Sequence, residues 1–382
     1  MTTEETIIIG AGPAGLACAA ALSSNGRRPV VLEAADRPAA SWHRHYDRLH
    51  LHTSKAHSAL PGKPMPADFP RYPSRLQIIA YLEDYARTKD LRIFFGRQAV
   101  SVRRAVDWMV ETANGDLFES RSVIIATGLS NTPIRPEWHG QNSFMGPILH
   151  SSEYRNASAL KARRVLVVGF GNSAGEIALE CAEAGLDVAM SVRGPVNVVG
   201  REMFGIPSAT IAIALSHFPH EMADGFNAPF LRLRYGDLER FGLRRAGRGP
   251  LTTMIELGRT PLIDVGTIAK IREGRIKVFP GVERLEGSVV HFEDRQSIAC
   301  DAIILATGYR PNLEEVLPDL WERFPAAGRP ASGDLHPAGD GLYFCGYNAA
   351  TTGLLRQIGI EAQKIASSIA RRHQGNYLGR VI

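Results

Sequence analysis

The sequence predicts an α/β chain of two Rossmann-like dinucleotide-binding domains, the second inserted into the first. Three observations carry this. An apolar, strand-like run meets a glycine-rich turn and an alanine-rich helix near the start. The same device recurs between Arg163 and Arg193. The length, 382 residues, is more than one ordinary core organises. A hydrophobic fraction of 45% and a charged fraction of 22% fit a globular chain and exclude a disordered one.

The first copy reads "IIIGAGPAGLACAAAL" and then "PVVLEA". In the turn Gly10-Ala11-Gly12-Pro13-Ala14-Gly15, Gly10 permits the sharp reversal and Gly12 lets backbone approach a pyrophosphate. Gly15 lets helix and strand pack closely. The pyrophosphate would lie on the helix N-terminus, where free N–H groups and the dipole favour negative charge. Glu33 closes the second strand, where a carboxylate can accept hydrogen bonds from both ribose hydroxyls.

The second copy, "RRVLVVGFGNSAGEIALECAEAGLDVAMSVR", carries Gly169, Gly171, Asn172 and Ser173 in its turn. Its second strand ends in Ser191 and Arg193 instead of an acid. A carboxylate would repel a 2′-phosphate, whereas a hydroxyl and a guanidinium would bind it. One site for a ribose with free hydroxyls and one for a 2′-phosphate imply FAD and NADPH. Electrons would then pass from nicotinamide to flavin. "SVIIATG" (122–128) and "AIILATGYRPN" (302–312) each read as a buried strand ending in a small-residue turn. Thr127, Gly128 and Gly308 would there return the chain beside a cofactor.

The expected organisation is a FAD domain in two pieces, 1–155 and 301–382, around an NADPH domain, 156–300. The first piece holds an amphipathic helix, "RLQIIAYLEDYARTK" (75–89), and the strands "AVSVRRA" and "DWMVET". "RIKVFPGVERLEGSVVHFED" reads as an antiparallel meander in the inserted domain. The last piece holds the strand "GLYFCGY" and a core-facing helix, "LLRQIGIEAQKIASSIARR". The start of that helix, Thr352 to Gln357, would face the flavin.

Several classes are disfavoured. The four cysteines are far apart and form no CxxC pair, which argues against a dithiol centre or zinc site and fits a reduced, cytoplasmic setting. No signal peptide is apparent. No apolar run reaches the ~18 residues of a transmembrane helix, and "IPSATIAIALSHF" (206–218) reads as a buried or interfacial helix. A net charge of +5 with scattered arginines suits anionic cofactors better than nucleic acid. His43, His45, His50 and His52 lack metal-ligand spacing with acidic or cysteine partners, so no metal is expected. The oligomeric state is open, a homodimer being one option.

The stretch "FMGPILHSSEY" matches the pattern F-x-G-x-x-x-H-x-x-x-[YF] through Phe144, Gly146, His150 and Tyr154. With "YDRLHLHTSK" (46–55), "FPRYPSRLQIIAYLEDYA" (69–86), "VVGFGNSAGEIA" (167–178) and "SVRGPVNVVGRE" (191–202), nearly the whole chain resembles the class B flavin-containing monooxygenases. The resemblance is to the YUCCA-like (indole-3-pyruvate monooxygenase) branch and its bacterial relatives. It implies that NADPH reduces FAD and that O2 then gives a C4a-(hydro)peroxyflavin, which passes one oxygen atom to a small substrate while the other leaves as water. It also implies roles for His52, which stands where many members have asparagine, and for Thr53, Lys55 and His150. Lys55 would meet NADP⁺ or a substrate carboxylate. His150 would serve a conformational role more than proton transfer, with Tyr154 packing at the junction. Ser41, Trp42 and Gln357 would contact FAD, and Ser173 would cap its helix and touch an NADPH phosphate. The histidine favours a 2-oxo acid substrate, decarboxylated on oxidation, over a soft nitrogen or sulfur nucleophile. The alternatives are an NADPH:flavin oxidoreductase or oxidase without oxygen insertion, and a regulatory nucleotide-binding protein without chemistry.

Overall fold

The apolar run Thr6–Ile9 is fully or nearly fully buried, and its strand, Thr2–Ile9, lies at the centre of a parallel array. The structure, a computed structural model, describes residues 1–320, 330, 341–348 and 350–378. It divides into two units: Met1–His43, Ser54–Thr132 and Tyr309–Ile382 form one, Arg44–Thr53 and Pro133–Gly308 the other.

In the first unit, Thr2–Ile9 pairs in parallel with Val30–Leu32 on one side and Leu117–Ile125 on the other. Parallel neighbours need a crossover, and helix Pro13–Ser24 supplies it. Its alanines and leucines are buried from Ala14 to Leu22, and Pro13 starts it where a missing N–H costs nothing. The long strand Leu117–Ile125 pairs antiparallel with Trp108–Thr112 through its first half and parallel with Leu342–Phe344 through its second. Ala99–Arg104 extends the antiparallel side. Helix Arg75–Thr88 opens with a reciprocal capping box between Ser74 and Gln77. Helix Leu354–Leu378 buries Leu355, Ile358, Ala362, Ile365 and Ile369, the three- and four-residue spacing read from the sequence.

The second unit holds a five-stranded, wholly parallel sheet in the order Ile276–Phe279, Asp187–Ser191, Arg164–Val168, Ala302–Leu305, Ile148–His150. Helix Asn172–Glu183 connects its two central glycine-turn strands. A separate antiparallel meander runs through Val282–Glu286, Val289–Phe292 and Ser297–Ala299. Within 206–218 the helix spans Ser208–Leu215, mostly half-buried. Among the described residues no helix is long and apolar enough to cross a membrane.

The edges differ from the sequence expectation. Ile148–His150 and Ala302–Leu305 pair with each other in the second sheet, so the second unit takes in 133–155 and 301–308 as well as the ten residues 44–53. Ile276–Phe279 is an edge strand of the parallel sheet and not part of the meander. Apolar content marks a strand, but pairing partners are set by three-dimensional register. The sheet also explains one glycine of the "FMGPILHSSEY" pattern. A Cβ on Gly146 would run into the carbonyl oxygen of Asp301.

Asp301 fastens the start of this sheet. One carboxylate oxygen accepts from the amides of Arg163 (3.1 Å) and Arg164 (2.8 Å), and the other from the Arg164 guanidinium. These bonds hold the carboxyl at about 2, below its ordinary 3.8. Because the folded value is the lower one, the contribution is complete above 3.8 and is lost as pH falls toward 2. Asp301→Asn is expected to lower the urea midpoint modestly at neutral pH, since the pair is solvent-screened. The gap to wild type should close between pH 3.8 and 2; a gap that stays constant there would refute the assignment.

Candidate cofactor and active site

In the first glycine turn, Gly10 has φ +103° and a Cβ there would lie 2.7 Å from the Ala126 carbonyl oxygen. A Cβ on Gly15 would overlap the Gly10 carbonyl. Both are packing glycines. Gly12 differs: nothing lies within 4 Å of its added Cβ, and it caps helix Pro13–Ser24 without any side-chain bond. Its opening and the uncapped first-turn amides fit a pyrophosphate; Pro13 and Ala14 begin that helix. Glu33 is buried, and its carboxylate accepts from the amides of Ala11 (2.6 Å) and Ala35 (2.9 Å). It thus holds the turn in shape, and each oxygen retains a lone pair for a ribose hydroxyl. The Ala39 amide donates to the Ala11 carbonyl, tying the short helix that carries half-buried Ser41 and Trp42 to the same turn.

Thr127 shares a 2.7 Å hydrogen bond with the buried Tyr347 hydroxyl, and Gly128, at φ +82°, faces open space. Gln357 donates to Glu361 at 3.1 Å. Glu361 is 2% exposed and also accepts from the Gly346 amide (2.8 Å) and Asn348. The sequence reading missed this hub. Its only signal was a carboxylate on the apolar face of the last helix.

The second turn repeats the geometry. Gly169 has φ +120° with an added Cβ 2.5 Å from the Ala306 carbonyl oxygen, while Gly171 opens onto nothing within 4 Å. The close-packing role of Gly15 passes to Gly175, whose Cβ would lie 2.5 Å from Leu262 Cδ1. Asn172 accepts from the Ile263 amide at 2.7 Å. Two expectations are corrected here. Ser173 is not the cap: the helix begins at Asn172 after Gly171, with no side-chain cap. Ser191 is buried and donates to the Pro280 carbonyl at 2.8 Å, so its hydroxyl is committed inward. Arg193 is exposed, and its carbonyl accepts from Arg244 at 2.9 Å, which brings a second arginine to the end of the strand.

Helix Asn172–Glu183 presents Glu176, Glu180 and Glu183 at four- and three-residue spacing, hence on one face. Each has a partner. His52 Nε2 lies 2.9 Å from Glu176, the Tyr154 hydroxyl donates to Glu180, and Arg48 pairs with Glu183. Tyr46 and Tyr154 sit in the hydrophobic core beneath. Segment 44–53 is therefore fastened along this helix, with half-buried Thr53 at its end. Burial raises the carboxyl of Glu180 above its ordinary range. His52 Nδ1 is buried and has no hydrogen-bond partner among the described residues. Glu176 was not singled out from the sequence, although the glutamate spacing was visible.

Two candidates have polar atoms engaged within the fold. His150 is fully buried; Nε2 donates to the Gly308 carbonyl at 3.1 Å and Nδ1 faces Ser152 at 2.9 Å. Burial also lowers its pKa, which favours the neutral ring and agrees with a packing role. The Lys55 ammonium donates to the carbonyls of Pro66, Ala67 and Phe69 and thereby holds that loop; it is not poised for an anion. The other histidines of 43–52 are used separately, His43 with Glu83 and His50 with the Arg48 carbonyl. Among the described residues, metal-ligating atoms gather at half-buried His220 and exposed Glu221 and Glu256, where Glu256 also pairs with Arg248.

Residues 7–202 match the family described as pyridine nucleotide-disulphide oxidoreductase. The chain is 39% identical over 327 residues to the indole-3-pyruvate monooxygenase YUCCA1 of Oryza sativa subsp. japonica, covering 84% of this chain and 80% of that protein. It is 39% identical over 319 residues to the indole-3-pyruvate monooxygenase YUCCA6 of Arabidopsis thaliana, covering 80% and 76%. In fold it is similar to a flavin-containing monooxygenase from Stenotrophomonas maltophilia, with TM-score 0.73 and 21% identity over 97% of this chain and 99% of that one. It is also similar to the bacillithiol disulfide reductase of Staphylococcus aureus, with TM-score 0.66 and 18% identity over 97% and 99%.

Truncation tests the assignment of His150. His150→Ala removes a buried ring and one of the two hydrogen bonds the Gly308 carbonyl accepts, the other coming from the Ile134 amide at 3.0 Å, so it should cost about 2–4 kcal/mol. Urea unfolding would check this, and an unchanged midpoint would show that the ring is not structural.

Proposed function

We propose that this chain, which belongs to the class B flavin-containing monooxygenases together with YUCCA-like proteins and is an FAD- and NADPH-dependent monooxygenase, oxygenates a small 2-oxo acid with loss of CO2. The balance is R–CO–COO⁻ + O2 + NADPH + H⁺ giving R–COO⁻ + CO2 + H2O + NADP⁺. One observation carries the substrate class: identities of 35–39% to relatives named indole-3-pyruvate monooxygenases, extending over 80–96% of the chain.

When bound, the flavin supplies a two-electron acceptor for the nicotinamide and a centre for activating O2. The chain's own residues do the rest. The first turn, open at Gly12, would hold the FAD pyrophosphate, with Glu33 on the ribose and Ser41, Trp42, Thr127, Gly128 and Gln357 as further contacts. The second, open at Gly171, would hold that of NADPH, with Asn172 and Ser173 in its first turn and Arg193 on the 2′-phosphate. His52 and Thr53 are the candidates left at the reacting end, since Lys55 and His150 are engaged elsewhere.

The cysteines bear on why the electrons go to O2 and not to a disulfide. All four cysteines are buried. Burial pushes the thiols of Cys181 and Cys300 up to about 11, and the contact with Cys18 together with burial raises that of Cys345 well above its ordinary value. The nucleophile in disulfide exchange is the thiolate, so these groups are poorly suited to it.

NADPH oxidation by the purified flavoprotein should rise when an aryl 2-oxo acid is added. A carboxylic acid one carbon shorter should form with one CO2 per NADPH. Hydrogen peroxide equal to NADPH, with no acid formed from any 2-oxo acid, would overturn the proposal in favour of an oxidase. Arg193→Ala is expected to weaken NADPH binding about ten- to a hundredfold, the loss of a charge-assisted contact, with NADH binding unchanged. Equal losses for both nucleotides would remove Arg193 from the 2′-phosphate.

A further inference from the structure

The His52–Glu176 pair has one side used and one side open. Glu176 is 4% exposed and lies on the helix whose first turn is the open, uncapped one at Gly171. Its carboxylate oxygen is 2.9 Å from His52 Nε2. A carboxylate accepts, so Nε2 carries the hydrogen, and in the neutral ring the lone pair is left on Nδ1. That atom is buried without a partner among the described residues, which is costly unless something donates to it. The opposite tautomer would set the Nε2 lone pair against the carboxylate.

We propose that Glu176 is a positioning residue: it fixes the ring and tautomer of His52 so that Nδ1 accepts a hydrogen bond from a donor on the bound pyridine nucleotide. The donor class follows from chemistry. A pyridine nucleotide on this helix carries ribose hydroxyls and a carboxamide NH2, all donors, whereas the 2-oxo acid group of the proposed substrate offers acceptors only. The neighbouring Arg48–Glu183 and Tyr154–Glu180 contacts differ in that neither leaves a buried side-chain atom without a partner among the described residues. The inference rests on the second glycine turn being the NADPH site.

The test is a double-mutant cycle on NADP⁺ affinity, measured by calorimetry on FAD-loaded protein, with FAD content and melting temperature recorded for every variant. His52→Ala and Glu176→Ala should each weaken NADP⁺ binding about tenfold, the worth of one buried hydrogen bond, and the double variant should be no weaker than either. Glu176→Gln keeps an acceptor oxygen and should stay within about threefold of wild type. Ring-¹⁵N-histidine spectra give a second readout. The His52 Nδ1 resonance, assigned by its loss in His52→Ala, should be of the unprotonated type in wild type and shift on adding NADP⁺. In Glu176→Ala it should move toward the average of the two tautomers. Additive losses, or a lower melting temperature with unchanged NADP⁺ affinity in Glu176→Ala and Glu176→Gln, would make Glu176 a brace and overturn the inference. Failure of the underlying reading would look different: wild-type protein itself would not prefer NADP⁺ to NAD⁺.

Discussion

A buried carboxylate must be matched, and Glu176 imposes that constraint on helix Asn172–Glu183, with half-buried Glu180 and exposed Glu183 along the same face. Leaving such a group unpaired in an apolar setting costs far more than an ordinary contact gains. His52 meets the demand at Glu176, while Tyr154 and Arg48 pair with Glu180 and Glu183 beside it, all three partners drawn from two distant segments. Tyr46 adds apolar anchorage beside them. The result is that residues 44–53 take their shape from a helix far along the sequence, and His52 arrives with one nitrogen already engaged.

The same constraint gives meaning to the "FMGPILHSSEY" pattern. Gly146 is small because the Asp301 carbonyl leaves no room. His150 is a histidine because a buried ring must satisfy Gly308 on one nitrogen and Ser152 on the other. Tyr154 spans from the core to Glu180. Each chemistry-bearing residue in the motif is accounted for by packing or hydrogen bonding within one unit. The motif thus contributes to the architecture of the second unit.

Similarity in fold to disulfide reductases and to monooxygenases alike follows from a shared scaffold, which by itself does not fix the reaction. What distinguishes them is the acceptor. All four cysteines are buried, and the raised thiols of Cys181, Cys300 and Cys345 leave little thiolate there at neutral pH.

Much was legible in the sequence because local rules wrote it. Both glycine turns, their helices and strands, and the change from Glu33 to Arg193 follow from backbone sterics and charge acting over a few residues. The capped helix at Ser74 and the apolar stripe of the last helix were readable for the same reason. Tertiary structure alone decided which sheet received Ile148–His150 and Ala302–Leu305, because register depends on partners remote in sequence. It alone turned Ser191 toward Pro280, spent Lys55 on three carbonyls and His150 on two loops, and set Glu176 against His52. A polar side chain is a capacity for hydrogen bonds; whether folding consumes that capacity or leaves it for a ligand is fixed only when distant groups meet.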